Sequence, residues 1–302
     1  MDAVTVKCIM CHSKQPAAKL SIPMLILLLP LLLLCYGIGN VHCSTIHESS
    51  TDMLALLDFK LGVSDPSGAL SNWNTSSHFC RWNGVMCTST PPFRVLWLNL
   101  TSQSLSGQMS SSLGNLTFLN YLDLSNNNFV GPLPLLGRQQ QLQYLWLNNN
   151  NFCGIIPESL TNCSNLTSLD LSSNNLVGSI PPKLGLLSNL TYLNLGSNKL
   201  KGSIPGVLGQ LVNLESLILR DNSLSGEVPH AIFNLSSLQY LHLQNNSIGK
   251  TLPPNIGELL PNVIELNLQD NEFEGRIPAS LGNLLGLQQL YLSDNNLQGY
   301  IP

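Results

Sequence analysis

The chain has 302 residues, of which 43% are hydrophobic and only 10% are charged. This composition supplies enough apolar surface for a large core and excludes an intrinsically disordered protein. The formal net charge is -4, and the 13 Lys and Arg residues form no basic stripe that could neutralise phosphates, so nucleic acid is not an expected partner.

Residues 1–43 are predicted to be a secretory signal. Three lysines precede the apolar run from Met24 to Leu34, and small residues follow that run. This order is typical of a signal peptide, which predicts export to the secretory pathway and then to the cell surface or apoplast. The alternative is an uncleaved signal anchor, because the uncharged residues 20–39 match the roughly 20 residues that a membrane-spanning helix needs.

Residues 44–92 are predicted to form a capping domain ahead of the repeats. Asp52 precedes Leu54, Leu57 and Leu61, and this spacing predicts a helix with Asp52 as its N-cap. A solenoid needs such a unit because its first repeat otherwise exposes a hydrophobic end. The buried bulk of the cap is expected to come from three aromatic residues: Phe59, Trp73 and Trp82.

From residue 93 to residue 302 one phrase recurs in nine copies, the last of them incomplete. It has Leu at the first, fourth and sixth places, Asn at the ninth, Gly at the thirteenth and then Ile-Pro, as in LTSLDLSSNNLVGSIP at residues 166–181. Successive fourth-place leucines are 23 to 25 residues apart, which is the leucine-rich-repeat period. They are Leu98, Leu122, Leu145, Leu169, Leu193, Leu217, Leu241, Leu266 and Leu290.

The predicted fold class is an α/β repeat solenoid with a parallel sheet on its concave face. In L-x-x-L-x-L the fourth and sixth residues point inward from a short strand, and strands stacked about 4.8 Å apart form one buried leucine face. A small helical cap is expected to cover the N-terminal end of this superhelix.

The ninth-place asparagines follow each strand, where an amide can both donate and accept hydrogen bonds. We expect a buried structural ladder between turns. The alternative, contact with a ligand, is less favoured because the same residue recurs in every copy except for Gln103 in the first. The ladder residues are Asn127, Asn150, Asn174, Asn198, Asn222, Asn246, Asn271 and Asn295.

The thirteenth-place glycines are expected where a tight backbone leaves no room for a Cβ atom. The copy of Leu241 departs from the phrase, because Gly249 is followed by Lys250. The glycines are Gly131, Gly154, Gly178, Gly202, Gly226, Gly275 and Gly299.

Two sets of phrases resemble one family. Leu-Gly-Asn-Leu and Gly-x-Ile-Pro, as in GSIPPKLGLLSNL from Gly178, resemble the plant-specific leucine-rich repeats of receptor-like kinases and receptor-like proteins. Residues 52–87, with DMLALLDFK, DPSGALSNWN and CRWNGVMC, resemble the N-terminal cap of that family. Together these phrases cover about residues 50–302.

The resemblance implies a disulfide between Cys80 and Cys87. It also implies an extracellular region that recognises a peptide or protein ligand in plant defence or development, with a co-receptor leucine-rich-repeat kinase as a further partner. Cys153 and Cys163 form either a second disulfide or two buried thiols. Both interpretations are kept, because a buried Cys in a repeat often acts as a small apolar residue.

The ninth copy stops mid-repeat at Pro302, so we expect a product truncated before a transmembrane helix and any Ser/Thr kinase domain. Contact with a membrane is then expected only through that missing helix or an uncleaved signal anchor. The alternative function is a secreted protein that inhibits a foreign or cell-wall enzyme. The sequence has none of the hydrolase, zinc-protease, P-loop or kinase motifs, so we expect no catalytic residue, cofactor or metal.

Eight Asn-x-Ser/Thr sequons are potential N-glycosylation sites in an exported chain. Asn-Leu-Thr and Asn-Leu-Ser also arise as by-products of the repeat phrase, so about half of the sequons are expected to stay unmodified. The acceptors are Asn74, Asn99, Asn115, Asn162, Asn165, Asn189, Asn234 and Asn245.

The concave wall is the predicted recognition surface, because its exposed places vary between copies while the leucines hold the scaffold. From the second copy onward these places carry seven acids and one base, Arg220, which predicts an acidic wall and a peptide with basic residues. The acids are Asp123, Asp170, Glu215, Asp221, Glu265, Asp270 and Asp294. The expected ligand contacts are Asp123, Trp146, Asp170, Arg220, His242, Glu265 and Tyr291.

Two alternatives stay open for this wall. Asp at the fifth place is also explained as a residue that this family commonly carries there. In that case the true ligand-binding site lies in the missing repeats. The aromatic residues at the third place are interpreted as mainly structural, because aromatic side chains favour strands in general. They are Trp97, Tyr121, Tyr144, Tyr192 and Tyr240.

Overall fold

The computed structural model describes residues 43–302. The predicted secretory signal at 1–43 lies outside the described residues except for Cys43, where the first helix begins. Within residues 43–302, no helix combines the length and the apolar character that crossing a membrane requires.

The described chain contains three α-helices and six 3-10 helices, which alternate with short strands. The α-helices are α1 (Cys43–Leu61), α2 (His230–Phe233) and α3 (Ile256–Leu259). The 3-10 helices are Phe79–Arg81, Ser111–Asn115, Glu158–Asn162, Pro182–Leu186, Gly206–Gln210 and Ala279–Asn283.

Twenty strands run through the described residues and are divided between two sheets. They are β1 (Val63–Ser64), β2 (Val85–Cys87), β3 (Val95–Asn99), β4 (Ser106–Gln108), β5 (Tyr121–Asp123), β6 (Asn128–Pro132), β7 (Tyr144–Trp146), β8 (Asn151–Gly154), β9 (Ser168–Asp170), β10 (Asn175–Gly178), β11 (Tyr192–Asn194), β12 (Lys199–Gly202), β13 (Ser216–Ile218), β14 (Ser223–Glu227), β15 (Tyr240–His242), β16 (Ser247–Thr251), β17 (Glu265–Asn267), β18 (Glu272–Arg276), β19 (Gln289–Tyr291) and β20 (Asn296–Gln298).

The first sheet is the predicted concave wall. It joins β2 to β3 and then the odd-numbered strands in chain order, and every pair from β3 to β19 is parallel. The fourth-place leucines lie opposite one another, as Leu98, Leu122 and Leu145 do. All are 0–1% exposed except Leu290 in the last copy. The leucine face is therefore one continuous core, as the repeat phrase predicts.

A second ten-stranded sheet runs beside the first, and the sequence did not predict it. It joins β1 to β4 and then the even-numbered strands in chain order. From β6 to β18, each even-numbered strand begins just after a ladder asparagine and buries the eleventh-place side chain, such as Phe152 or Leu176. Within each of the two sheets, main-chain hydrogen bonds therefore join one copy of the repeat to the next.

The cap closes one edge of each sheet with an antiparallel strand. β1 pairs with β4 through Val63 and Gly107, and β2 pairs with β3 through Val85 and Leu98. Without this pairing the first repeat would present two unpaired strand edges, which are prone to association with other chains. The disulfide predicted from family resemblance joins Cys80 to Cys87 and fixes β2 to the preceding 3-10 helix.

The prediction for the cap helix was wrong in its start and in its buried face. α1 begins at Cys43, so Asp52 lies inside the helix and is not its N-cap. Leu54 and Leu61 are 58% and 86% exposed, because the helix packs through a different stripe. The buried side chains at spacings of three and four residues are Asp52, Ala55, Leu56 and Phe59. Trp73 and Trp82 are buried as predicted and stack with ring centroids 5.4 Å apart.

The thirteenth-place glycines share a backbone conformation that favours glycine, whether or not a Cβ atom would be crowded there. Their φ angles lie between 81° and 91°, a region that L side chains rarely adopt. A Cβ atom built on Gly154 would meet no atom within 4 Å, which contradicts the expected crowding at that position. In the copy of Leu241, Lys250 takes this place with φ 76°, whereas Gly249 stands one residue earlier.

We expect Gly154→Ala to lower the free energy of unfolding by about 1–2 kcal/mol through backbone strain alone. The matched control is Gly282→Ala, because that position is also open to 4 Å but its φ is not positive. The control should be neutral or stabilising by about 0.5 kcal/mol. Urea unfolding followed by circular dichroism measures both. Equal midpoints for the two variants would contradict the conformational explanation.

Candidate ligand-binding face

The fifth-place residues at the ends of the concave strands divide into two groups. In five copies the side chain is Asn or Asp, and its oxygen accepts a hydrogen bond of 2.9–3.2 Å from the backbone N–H two residues later. This bond turns the chain at the end of the strand, which accounts for the residue type without any ligand. The five are Asn99, Asp123, Asp170, Asn194 and Asn267.

The other four copies place a different side chain at this position. They carry Trp146, Ile218, His242 and Tyr291, and none of these accepts the turn-forming bond within the described residues. The local turn-forming hydrogen bond therefore does not explain which residue stands at these four positions. This distinction makes the three predicted anchors among them, Trp146, His242 and Tyr291, the candidates for ligand contact.

The three anchors occupy different settings along the sheet. The indole Nε1 of Trp146 donates to Ser168 Oγ at 2.9 Å, which fixes the ring over the next strand. His242 Nε2 lies 3.1 Å from Glu265 Oε1, and both side chains are about one-fifth exposed. Tyr291 is 41% exposed. The structure thus groups His242 with Glu265 and leaves Tyr291 at the far end of the sheet.

Asp123, predicted as a ligand contact, is only 4% exposed, so a ligand has almost no direct access to it. Its oxygens accept hydrogen bonds from Tyr121 Oη and from both the N–H and the hydroxyl of Ser125. Asp170 is half-buried in a similar network. Its oxygens accept from Ser172 N–H, Ser172 Oγ, Tyr192 Oη and Asn194 Nδ2.

The eighth-place acids are also explained by the backbone. Asp221, Asp270 and Asp294 have φ between 49° and 54°, and the residue at this place has positive φ in every copy. Asn and Asp adopt this left-handed conformation more readily than most side chains. The one base of the wall, Arg220, forms an ion pair with Asp221. The left-handed backbone and this ion pair therefore account for these acids without a ligand.

The ladder asparagines each connect two adjacent copies. The Nδ2 group of Asn174 donates to the carbonyls of Leu147 in the preceding copy and of Leu171 in its own copy. Its Oδ1 atom accepts the N–H of Phe152. All eight make the same set of bonds, which uses both ends of each amide inside the solenoid.

Four aromatic rings contact one another on the concave face near the cap, a cluster that the sequence did not identify. The ring centroids of Trp97 and Tyr121 lie 4.0 Å apart, and those of Tyr121 and Trp146 lie 5.5 Å apart. Tyr144 and Trp146 meet edge to face at 83°. We call Trp97, Tyr121, Tyr144 and Trp146 the aromatic corner. The sequence assigns the first three residues to the third place of the repeat and Trp146 to the fifth place, and it does not show that their rings are in contact.

The tyrosines beside the two carboxylates have raised pKa values. Burial, the charge of Asp123 and the hydrogen bond to it raise the pKa of Tyr121 to about 12. Burial and then the charge of Asp170 raise the pKa of Tyr192. Both phenols stay protonated at neutral pH and donate to the carboxylates.

Six of the predicted glycan acceptors are exposed, and two are half-buried. The half-buried ones are Asn99, which lies in β3 with its side-chain oxygen bonded to Thr101 N–H, and Asn165. Asn115 and Asn162 end 3-10 helices and do not lie on the concave sheet. Glycans at these two positions would leave the candidate face open.

Cys153 and Cys163 are buried, and no disulfide joins them to each other. The Cys163 thiol donates to the carbonyl of Leu136 at 3.3 Å, and burial raises its pKa to about 11. Cys163 therefore acts as a small core residue. Across residues 43–302, no three His, Cys, Asp or Glu side chains are grouped so that they could hold a metal ion.

Comparisons with known families match both parts of the described chain. Residues 49–88 match the family described as Leucine rich repeat N-terminal domain. Residues 165–224 and 188–248 match a Leucine rich repeat family, and 118–138, 141–163, 262–284 and 286–302 match another of the same description.

Similar curated proteins include plant receptor kinases. The chain is 45% identical over 89 residues to LRR receptor-like serine/threonine-protein kinase EFR of Arabidopsis thaliana, covering 29% of this chain and 8% of that protein. The kinase part of such relatives lies outside the matched region, and the chain spans 8% to 15% of the length of such curated relatives.

Solved ectodomain structures extend this similarity to the fold. The ectodomain of GASSHO1/SCHENGEN3 from Arabidopsis thaliana, in complex with CASPARIAN STRIP INTEGRITY FACTOR 2, has a TM-score of 0.80 and 41% identity over 83% of this chain and 30% of that chain. The BIR2 ectodomain from Arabidopsis thaliana has a TM-score of 0.53 and 33% identity over 57% of this chain and 93% of that chain.

Proposed function

Because the chain belongs to the plant leucine-rich-repeat receptor family, we propose that it is the extracellular, ligand-recognising region of a cell-surface receptor in defence or developmental signalling. The ligand class is a peptide or protein. Similarity to an ectodomain whose structure is a complex with CASPARIAN STRIP INTEGRITY FACTOR 2 supports this class. A co-receptor leucine-rich-repeat kinase is the second proposed partner.

The observation that carries the proposal is that three of the four fifth-place residues other than Asn or Asp carry a ring. Trp146, His242 and Tyr291 replace a residue that would complete the local backbone bond, and each presents an aromatic or heteroaromatic ring on the concave face. Rings of this kind often supply a large share of binding energy in protein interfaces. The function of these three positions is therefore recognition.

We expect Trp146→Ala, His242→Ala and Tyr291→Ala each to weaken ligand binding by about tenfold, because truncating an interface anchor costs more than about 1 kcal/mol. The immobilised chain is first screened against synthetic secreted plant peptides. Affinities of the variants for the selected peptide are then measured by microscale thermophoresis.

The matched control for these variants is Val177→Ala, which truncates a 40% exposed side chain on the second sheet, in β10. Its affinity should equal that of the unaltered chain. Unchanged affinity in all three anchor variants, with unchanged circular dichroism, would rule out the concave face as the contact surface. A loss with Val177→Ala alone would place contact on the second sheet.

A further inference from the structure

The aromatic corner has ring faces that the solenoid does not need for its own core. Trp97 and Tyr144 are 38% and 37% exposed, although they stand in the same column as Tyr121, which is 8% exposed. The edge-to-face contact of Tyr144 and Trp146 leaves a concave corner between the two rings. The bond from Trp146 Nε1 to Ser168 Oγ holds one side of that angle in place.

Two carboxylates flank this corner. The strand register places Asp123 and Asp170 on either side of Trp146, one on each neighbouring strand. All the donors to these two side chains are hydroxyl, amide or backbone N–H groups, which carry no formal charge. Both negative charges are therefore left without a cationic partner in their hydrogen-bond networks.

The surrounding bases compensate these charges only in part. The exposed concave places of the first four copies contain no Lys or Arg. Arg94, at the start of β3, is buried and ion-paired with Asp52. Arg220 forms an ion pair with Asp221 further along the sheet, and its charge reaches Tyr192, where it lowers the pKa of the phenol against the larger effects of burial and of Asp170. The raised pKa values of Tyr121 and Tyr192, to which the charges of Asp123 and Asp170 contribute, reflect the same negative potential.

We infer that the aromatic corner binds the cationic side chain of a lysine or arginine in the ligand, with Asp123 and Asp170 acting through their charge from behind the rings. The electron-rich ring faces attract a cation within about 6 Å of their centroids, and the attraction increases where water is excluded. The carboxylates add a Coulomb attraction without direct contact. This inference rests on the proposed function and specifies the chemistry of one position in its ligand.

The test uses three blocked pentapeptides, acetyl-Gly-Gly-Xaa-Gly-Gly-amide, in which Xaa is lysine, trimethyl-lysine or norleucine. Isothermal titration calorimetry with the full chain measures the three affinities. We expect lysine and trimethyl-lysine to bind about fivefold or more tightly than the neutral norleucine, because a cation over the rings needs charge and not a donated hydrogen bond.

Each other outcome of this comparison would overturn the inference. Equal affinity for norleucine and lysine would identify a merely apolar surface. Binding of lysine without trimethyl-lysine would identify an ion pair or hydrogen bond, and not a site formed by ring faces. If none of the three pentapeptides binds, the proposed cation site does not exist.

Variants then locate the binding. Trp146→Ala and Tyr144→Ala should each weaken the lysine pentapeptide by about fivefold. Asp123→Asn should also weaken it, and this variant is expected to fold because Asn99 and Asn194 make the same turn bond at the same place. Tyr291→Ala is the matched control, since that exposed ring lies at the other end of the sheet.

The two proposals can fail separately. If the lysine pentapeptide binds and only the corner variants lose it, the inference holds even when the peptide screen finds no ligand. If a screened ligand depends on His242 and Tyr291 while Trp146→Ala and Tyr144→Ala leave the lysine pentapeptide unaffected, the receptor function stands and the cation site is rejected.

Discussion

Replacing Asp52 with alanine is expected to lower the free energy of unfolding of the cap by about 3–5 kcal/mol, because it breaks a buried ion pair and leaves one charge uncompensated. Asp52 is 0% exposed. Its Oδ1 atom accepts from Arg94 Nη2 at 2.9 Å, and its Oδ2 atom accepts from Arg94 Nε at 3.1 Å and from Val95 N–H at 2.8 Å.

The position of this pair makes the effect larger than a local one. Arg94 also donates to Thr117 Oγ1 and lies 4.4 Å above the ring of Phe118. The pair therefore joins α1, the residue before β3 and the end of the first repeat. Its loss should detach the cap helix from the repeats and loosen the β1–β4 and β2–β3 pairings that cover the two sheet edges.

Hydrogen–deuterium exchange across α1 and β2, together with urea unfolding, measures this effect. The matched control is Asp58→Ala on the same helix, where an exposed carboxylate accepts from Ser110 Oγ. The control should change stability by no more than about 1 kcal/mol. Replacing both partners, as Asp52→Leu with Arg94→Met, should recover most of the loss. Equal shifts for Asp52→Ala and Asp58→Ala would show that the pair has no special role.

The solenoid could be predicted because its period is written nine times in the sequence. Each copy repeats the leucine places that form the first sheet, so the signal accumulates. The second sheet has no comparable signal. β10 reads Asn-Leu-Val-Gly and β12 reads Lys-Leu-Lys-Gly, with a single buried residue in each. Strands of four residues with variable exposed side chains show no clear alternation of apolar and polar residues.

The cap helix shows why a local pattern can mislead. An aspartate before an apolar run is typical of a helix N-cap. Asp52 instead pairs with Arg94, which follows 42 residues later. No local feature of the sequence marks two residues so far apart as partners. The helix itself was predictable, but its start and its buried face depend on a contact with the first repeat.

The candidate site was predictable as a surface and not as a set of contacts. A variable fifth place is visible in the sequence, but an Asp there can bond either to its own backbone or to a ligand. Only the structure shows that Asp123 and Asp170 form turn bonds while Trp146 does not. The aromatic corner depends on side-chain rotamers on neighbouring strands, which a column of residue types does not encode.

Replacing Asn174 with alanine is expected to lower the free energy of unfolding by about 3 kcal/mol. The change leaves the buried N–H of Phe152 and the carbonyl of Leu147 without their side-chain partner, and an unsatisfied buried group costs about 1–3 kcal/mol. Asn174 is itself 8% exposed, so water has little access to replace the amide. Because each repeat is stabilised by its neighbours, a defect in the middle of the array should separate its two halves.

Two further variants separate the role of the amide from that of its position. Asn174→Asp keeps the oxygen that accepts from Phe152 N–H, but it places a carboxylate against the Leu147 and Leu171 carbonyls, so it should also destabilise. Asn175→Ala removes the adjacent side chain, whose oxygen accepts only an exposed bond from Lys199 Nζ, and should cost no more than about 0.5 kcal/mol.

The urea midpoints give the order of stability of the three variants, and hydrogen exchange at the Phe152 amide reports the lost hydrogen bond directly. If Asn174→Ala and Asn175→Ala shift the midpoint equally, or if Asn174→Asp is as stable as the unaltered chain, the ladder does not hold adjacent repeats together through its donated bonds.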